Sequence, residues 1–213
     1  MVRIRGHRPA QRVLRRLLRP FGWDERNWLR IAQIRSWTAF LEEIGPSDIL
    51  EISPGWNSMW EKLSSKSYRS VDFPGFDIAR DSLPERFDAV IADQVLEHVG
   101  DPVAAVRNMR AMLRPGGWAL VATPFLFRIH ARPHDYCRWT EAGLRRLLVD
   151  GGFEDRSVQT FSWGNRACVR AHLGGEVKPF GFGKSLRNEP EYPVMVWAFA
   201  QRAAEANAAP RAG

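Results

Sequence analysis

Short apolar runs alternating with stretches of helical periodicity set the plan of this chain. Ile49, Leu50 and Ile52 form one run, which stops at Ser53-Pro54-Gly55; a second, Tyr68 to Val71, stops at Asp72. Further runs complete a set of predicted strands at 48–53, 68–72, 87–93, 117–123, 155–161 and 194–201. Helices are predicted near 54–64, 102–113 and 140–150. Before them, Glu25 to Ile44 carries Trp28, Ile31, Ile34, Trp37, Phe40 and Leu41 at helical spacing and ends at the stop signal Gly45-Pro46. Alternating strands and helices imply an α/β, doubly wound, mostly parallel sheet with right-handed crossovers. The interval between the second and fourth strands is short, so a third strand near Asp77 to Arg80 is expected to be vestigial.

The first turn narrows the chemistry. A strand with an acidic residue near its end, a tight turn, and a second strand ending in a carboxylate together build a nucleoside site in such sheets. The turn admits a ligand to the backbone, and the carboxylate accepts hydrogen bonds from ribose hydroxyls. A dinucleotide turn wants three glycines, whereas this one has Ser53, Gly55 and Asn57. Diphosphate needs close backbone approach at several points, so a cofactor without phosphate suits the turn better. The plain alternative is an ordinary strand-to-helix turn.

Composition sets the outer limits. The 213 residues suit one α/β domain, and no apolar run reaches the length of a membrane span. Cys137 and Cys168 lack metal or redox spacing and read as free thiols of a reducing cytosol. The net charge of +7 is concentrated: residues 1–35 hold ten arginines against Asp24 and Glu25. Val13, Leu14, Leu17 and Leu18 recur between Arg12, Arg15, Arg16 and Arg19, a helix able to lie peripherally on an anionic membrane or an acidic partner, or to pack on the domain. The pattern also has the Arg-rich, acid-poor character of a transit peptide. The body lacks a basic stripe, so nucleic acid is not an expected partner.

Phe87-Asp-Ala-Val-Ile-Ala-Asp-Gln-Val-Leu-Glu-His-Val-Gly-Asp-Pro102 and Met112-Leu-Arg-Pro-Gly-Gly-Trp-Ala-Leu-Val-Ala-Thr-Pro124 carry a specific likeness. Through them, over roughly residues 46 to 160, the chain resembles the class I S-adenosylmethionine-dependent methyltransferases, in the branch whose fourth strand runs into Leu-Glu-His-Val. The resemblance implies a Rossmann-like sheet of seven strands, or six, with an antiparallel last strand. It implies S-adenosyl-L-methionine as cofactor and methyl transfer by in-line displacement. Glu51, Ser53 and Gly55 would face its methionine end, Asp72 its ribose, and Asp77 or Asp81 its adenine amino group. Asp93 and Gln94 end the fourth strand on the same rim. Domains then divide as an arm with lead-in helices at 1–45, a methyltransferase domain at 46–202 and a flexible tail at 203–213. Residues 162–193 form an insertion expected to be an acceptor lid or a dimer contact.

An alcohol acceptor needs a base as its proton leaves. Histidine suits that task near neutral pH, and two are placed for it: His98 after the fourth strand and His134 after the fifth. His134 is favoured by its polar neighbours, with Asp135 as its orienting carboxylate. The His130-x-x-Pro-His134-Asp-Tyr-x-Arg138 segment, running into Thr140, Gly143 and Leu144, looks most like small methyltransferases of glycan and polysaccharide gene clusters. A sugar acceptor would meet Tyr136, Arg138 and Trp139. The alternatives are a quinone, phenol or carboxylate acceptor, or a non-catalytic, membrane-associated scaffold. Relatives that methylate catechol-like quinone precursors carry Glu where Gln94 stands, and with Glu97 and His98 that set could hold Mg²⁺. Gln94 is a weaker ligand, and Pro133 breaks the helix that would pair His130 with His134, so no metal is expected.

Overall fold

The structure is a computed structural model that describes residues 24–55, 58–131, 133–174, 179–181 and 183–204. The basic helix expected around Val13 to Leu18, and most of the tail, lie outside these residues. The described chain builds a six-stranded sheet in the order β3-β2-β4-β5-β8-β6. Its strands are β2 (Asp48–Ile52), β3 (Ser67–Val71), β4 (Phe87–Asp93), β5 (Leu113–Pro124), β6 (Val158–Trp163) and β8 (Met195–Gln201). All run parallel except β8, which is antiparallel to both β5 and β6. A two-stranded ribbon lies apart: β1 (Asp24–Asn27) pairs with β7 (Pro179–Phe180).

Alternation along the central strands explains the layers. Leu50, Ile52, Val90, Val121 and Val196 point to one face, where α2 (Pro102–Ala111) and α3 (Glu141–Asp150) cover them with Val106, Met109, Leu144 and Leu147. Ile49, Ile91, Leu120 and Phe199 point to the other face and meet α1 (Ile31–Ile44) and α4 (Arg166–His172) through Trp37, Leu41 and Cys168. With both faces covered, β2 and β4 read as near-continuous apolar runs. The aromatic seam on the α1 face is dense: Trp37 and Trp60 lie 5.2 Å apart, and Phe40 stacks on Phe199 at 4.0 Å. Trp37, Trp60 and Phe199 are buried, each contributing on the order of 2–3 kcal/mol, and the partly buried Phe40 less.

The helices start where side chains can take up their first amides. Asp101 accepts from Ala104 N ahead of Pro102, Thr140 from Gly143 N, and Asn165 from Cys168 N. Helix α1 stops at Gly45, whose φ of 52° closes it with a bond from its amide to Leu41 O. At the amino ends of the strands, Arg114 Nη1 lies 2.7 Å from both Asp48 and Asp88, tying β5 to β2 and β4.

Several sequence expectations are corrected. The lead-in helix begins at Ile31, because Asn27 caps a 3₁₀ turn (Trp28–Arg30) and the residues before it pair as β1. No α-helix forms at 54–64 among the described residues. Ser58 and Ser64 spend their hydroxyls on Glu51 and on the Ser47 and Ser67 carbonyls, leaving a 3₁₀ turn at Trp60–Leu63. The stretch Asp77 to Arg80 is a turn, so of the two strand counts expected, seven or six, the described residues have six.

The described part of the 162–193 insertion folds back on the lead-in. Trp28 Nε1 donates to Ser185 O, Trp163 Nε1 to Leu186 O, and Asn165 Nδ2 to Ser185 O and Arg187 O. Gly164 makes this docking sterically possible. A Cβ there would sit 2.0 Å from Tyr192 O and 2.5 Å from Val194 N, both backbone atoms. Gly164→Ala should therefore lower unfolding stability by about 3 kcal/mol, the upper part of the range for overpacking. Urea denaturation followed by tryptophan fluorescence measures it; an unchanged midpoint contradicts the close approach.

Candidate active site

Because β2, β3, β4 and β5 are parallel, the turns that follow them gather on one rim. There they enclose a cavity of about 670 Å³, within the usual range for a small-molecule pocket. Ser53 and Gln94 follow β2 and β4 directly and both line it. Each has a left-handed backbone, φ 47° and 63°, a conformation that costs a non-glycine residue on the order of 1 kcal/mol or more. The ladders hold them there: Ser53 N donates to Val71 O at 2.7 Å and Gln94 N to Ala122 O at 2.9 Å. Strain of this kind, at two adjacent strand ends on one cavity, clusters at ligand sites in proteins generally.

Asp72 and Asp77 also line the cavity. Asp77 Oδ1 accepts from Ala79 N at 3.0 Å, while its own amide donates to Asp81 Oδ2 at 2.7 Å. Of the two carboxylates open to choice for an adenine contact, Asp77 therefore faces the cavity and Asp81 braces its turn. Gly55 is exposed and not among the lining residues.

Glu51 and Asp93 are placed differently from the expectation. They alternate onto the α1 face, one position off the lining residues Ile52 and Gln94. Glu51 is buried and accepts from Ser58 Oγ at 2.5 Å and Tyr68 OH at 2.6 Å. Burial raises its pKa, and these two bonds oppose the rise. Asp93 is paired with Arg30, which also donates to Gln33 Oε1 at 3.2 Å. Arg30 is the residue directly before α1, so the start of that helix is tied to the end of β4.

The opposite wall is made by the Leu96–His98 turn and the segment after β5. Tyr136 N donates to Glu97 O at 2.7 Å, and His98 Nδ1 lies 2.5 Å from His134 O, so the two stretches are tied. His98, His134 and Tyr136 line the cavity, the His134 ring tilted on that of Tyr136 at 5.2 Å. Asp135 does not orient His134. Its carboxylate takes Arg138 on both oxygens, accepts from His130 N at 2.8 Å, and is held down at about 2, chiefly by the Arg138 hydrogen bonds. That engagement occupies Arg138, and Trp139 packs on the core, so of the expected sugar-binding trio only Tyr136 reaches the cavity.

Behind this wall sits an arrangement that the sequence did not reveal. Glu97 is wholly buried, and neither carboxylate oxygen has a hydrogen-bond partner. Burial pushes it up to about 8. Its Oε1 is 3.8 Å from both His98 Nε2 and His130 Nε2. His130 Nδ1 faces Asp135 Oδ2 at 3.2 Å, off the line of a hydrogen bond. Spacing had suggested His130 only as a partner of His134; the fold gives it to Glu97 and His98 instead. Buried polar atoms without partners gather at this rim, among them Asp93 Oδ1, Gln94 Nε2 and Thr123 Oγ1. The amino-end rim is instead sewn by Arg114.

Comparison with known proteins fits this architecture. The chain is 27% identical over 117 residues to a ubiquinone biosynthesis O-methyltransferase of Thiobacillus denitrificans, covering 47% of this chain and 49% of that protein. It is 38% identical over 97 residues to the protein of the same name from Nitrosospira multiformis, covering 38% and 41%. The chain thus spans about half or less of these curated relatives. Among solved structures it resembles an S-adenosylmethionine dependent methyltransferase from Mesorhizobium loti (TM-score 0.53, 16% identity, 79% of this chain and 96% of that one). It also resembles phosphoethanolamine N-methyltransferase 2 of Haemonchus contortus in complex with S-adenosyl-L-methionine (TM-score 0.55, 11% identity, 79% and 52%). At such identities these structures speak to the fold. Residues 21–158 match the family model of the methyltransferase domain, and with the strand order and the rim cavity this shows that the chain belongs to that methyltransferase family.

Proposed function

We propose that the chain is an S-adenosylmethionine-dependent methyltransferase acting on an oxygen of a small acceptor. The observation that carries the reading is the convergence of strained Ser53, strained Gln94 and Asp72 on one cavity at the carboxyl ends of β2, β4 and β3. These residues fit a nucleoside sulfonium: the Ser53 turn brings backbone to the ligand, the Asp72 carboxylate accepts from a ribose diol, and the unpartnered Gln94 Nε2 offers a donor. Bound S-adenosylmethionine supplies an electrophilic methyl group.

The chain's own contribution is placement and proton transfer. The cavity walls, with Tyr136 and His134 among them, would position the acceptor beside the cofactor and limit its approach. His134, exposed on the wall and resting on Tyr136, takes the hydroxyl proton on a ring nitrogen. His98 is tied by Nδ1 to the His134 carbonyl and turns Nε2 toward Glu97, which favours His134 as base. The names of the curated relatives favour a phenol or quinone precursor over a sugar. The exposed Tyr136 face supports the sugar reading as a second choice. Turnover of labelled cofactor on a catechol panel against a glycan panel decides between them.

Cofactor binding is tested by calorimetry with S-adenosylhomocysteine. Asp72→Ala should weaken it by roughly 1.5–3 kcal/mol, the scale of a hydrogen bond to a charged group; no binding by the unmodified chain contradicts the enzyme reading. For the base, His134→Ala should lower turnover by about 10²–10⁴-fold with S-adenosylhomocysteine affinity unchanged. Loss smaller than about tenfold removes His134 from that role.

A further inference from the structure

We propose that Glu97, His98 and His130 bind one divalent transition-metal ion, with zinc the best match. The inference does not rest on the methyltransferase reading. Their ligand atoms all lie within 4.8 Å of one another, and Glu97 Oε1 stands 3.8 Å from each Nε2. Zinc held at about 2.0–2.1 Å by three tetrahedral ligands needs edges of about 3.3 Å. The two Glu97 edges need to close by about half an ångström and the edge between the histidines by at most about 1.5 Å; rotation of two partly exposed imidazoles supplies that.

The surroundings of each ligand point the same way. Both imidazoles turn Nε2 inward and give Nδ1 an acceptor on the outside: the His134 carbonyl at 2.5 Å for His98, and Asp135 Oδ2 at 3.2 Å for His130. For His98 the carbonyl holds the tautomer in which Nε2 carries the lone pair, as metal-ligating histidines require; for His130 the Asp135 carboxylate stands beside Nδ1, off the line of a hydrogen bond, and a small ring rotation would bring it into line. Asp135 is in turn anchored by Arg138, so the His130 support is itself held. Glu97 is an independent sign of a ligand. It is wholly buried, its two oxygens meet no hydrogen-bond donor, and one of them is aimed between the two rings. A buried carboxylate left without partners is costly, and a dication between it and two imidazoles offsets that cost.

The donor set selects the ion. Two imidazoles and one carboxylate suit zinc or a neighbouring transition metal; Mg²⁺ prefers several oxygens in octahedral array. The carboxylate-rich set that the resemblance suggested would need Glu where Gln94 stands. Here the third ligand comes instead from His130, after β5. Three protein ligands leave a fourth position open, as catalytic zinc sites have. His98 also lines the cavity, so the ion would lie directly behind its wall.

The test is a Co²⁺ titration of the untagged, chelator-stripped full chain, read by visible absorption, with Zn²⁺ competition. One ion per chain is expected, displaced by stoichiometric Zn²⁺ but not by a hundredfold excess of Mg²⁺. His130→Ala should weaken binding at least about 100-fold, and Asp135→Asn about 10–100-fold. His134→Ala, which removes only a side chain whose carbonyl takes part, should leave it unchanged. Circular dichroism checks each variant, with His130→Gln replacing any His130→Ala that fails to fold. Absence of stoichiometric uptake by the unmodified chain overturns the site, as does equal affinity in the folded His130 variant.

Discussion

Parallel registry between β3, β2 and β4 is the constraint on which the rest of the molecule depends. Ile52 stands level with Val71 on one side and with Ala92 on the other. Whatever follows these residues must emerge side by side, so Ser53, Asp72 and the β4 terminus become neighbours although 40 positions separate Ser53 from Asp93. A slip of one residue would turn Leu50 and Ile52 out of their core, since alternation fixes which face each side chain enters. Packing on both faces therefore holds the register, and the register assembles the site.

The two ends of the sheet have opposite electrostatic character. At the amino ends, Arg114 and two aspartates satisfy one another across three strands. These pairs are partly exposed and screened by solvent, so they add little to stability; their evident role is to fix strand placement. At the carboxyl ends, buried polar atoms stand without partners and two residues hold strained backbones. Polar satisfaction is close to universal in folded interiors; most of the unpartnered buried atoms among the described residues lie at this rim, with Trp37 Nε1 and Arg110 Nε elsewhere, and this concentration supports the proposed ligand site there. The fold and the site are in this sense two ends of the same strands.

Much of this was legible in the amino-acid order. Apolar runs mark β4 and β8 to within a residue, and Pro102, Thr140 and Gly45 mark helix ends because capping chemistry is local. What escaped was set by tertiary partners. The 54–64 segment has a helix-like pattern, but its serines found backbone and carboxylate partners elsewhere. Asp135 looked like an orienting carboxylate for its neighbour His134, yet Arg138 and His130 claim it. His130 meets Glu97 only because the loop after β5 crosses the loop after β4, a contact between residues 33 positions apart. Spacing cannot show such a meeting.

The central claim is that one rim, built from the turns after β2, β3 and β4, receives the cofactor. Hydrogen–deuterium exchange with and without S-adenosylhomocysteine tests it most directly. Exchange should slow at residues 53–55, 72–80 and 94–100, with the Arg114 end of the sheet unaffected. Protection confined to the ribbon of β1 and β7, or no protection at a saturating ligand concentration, would contradict it.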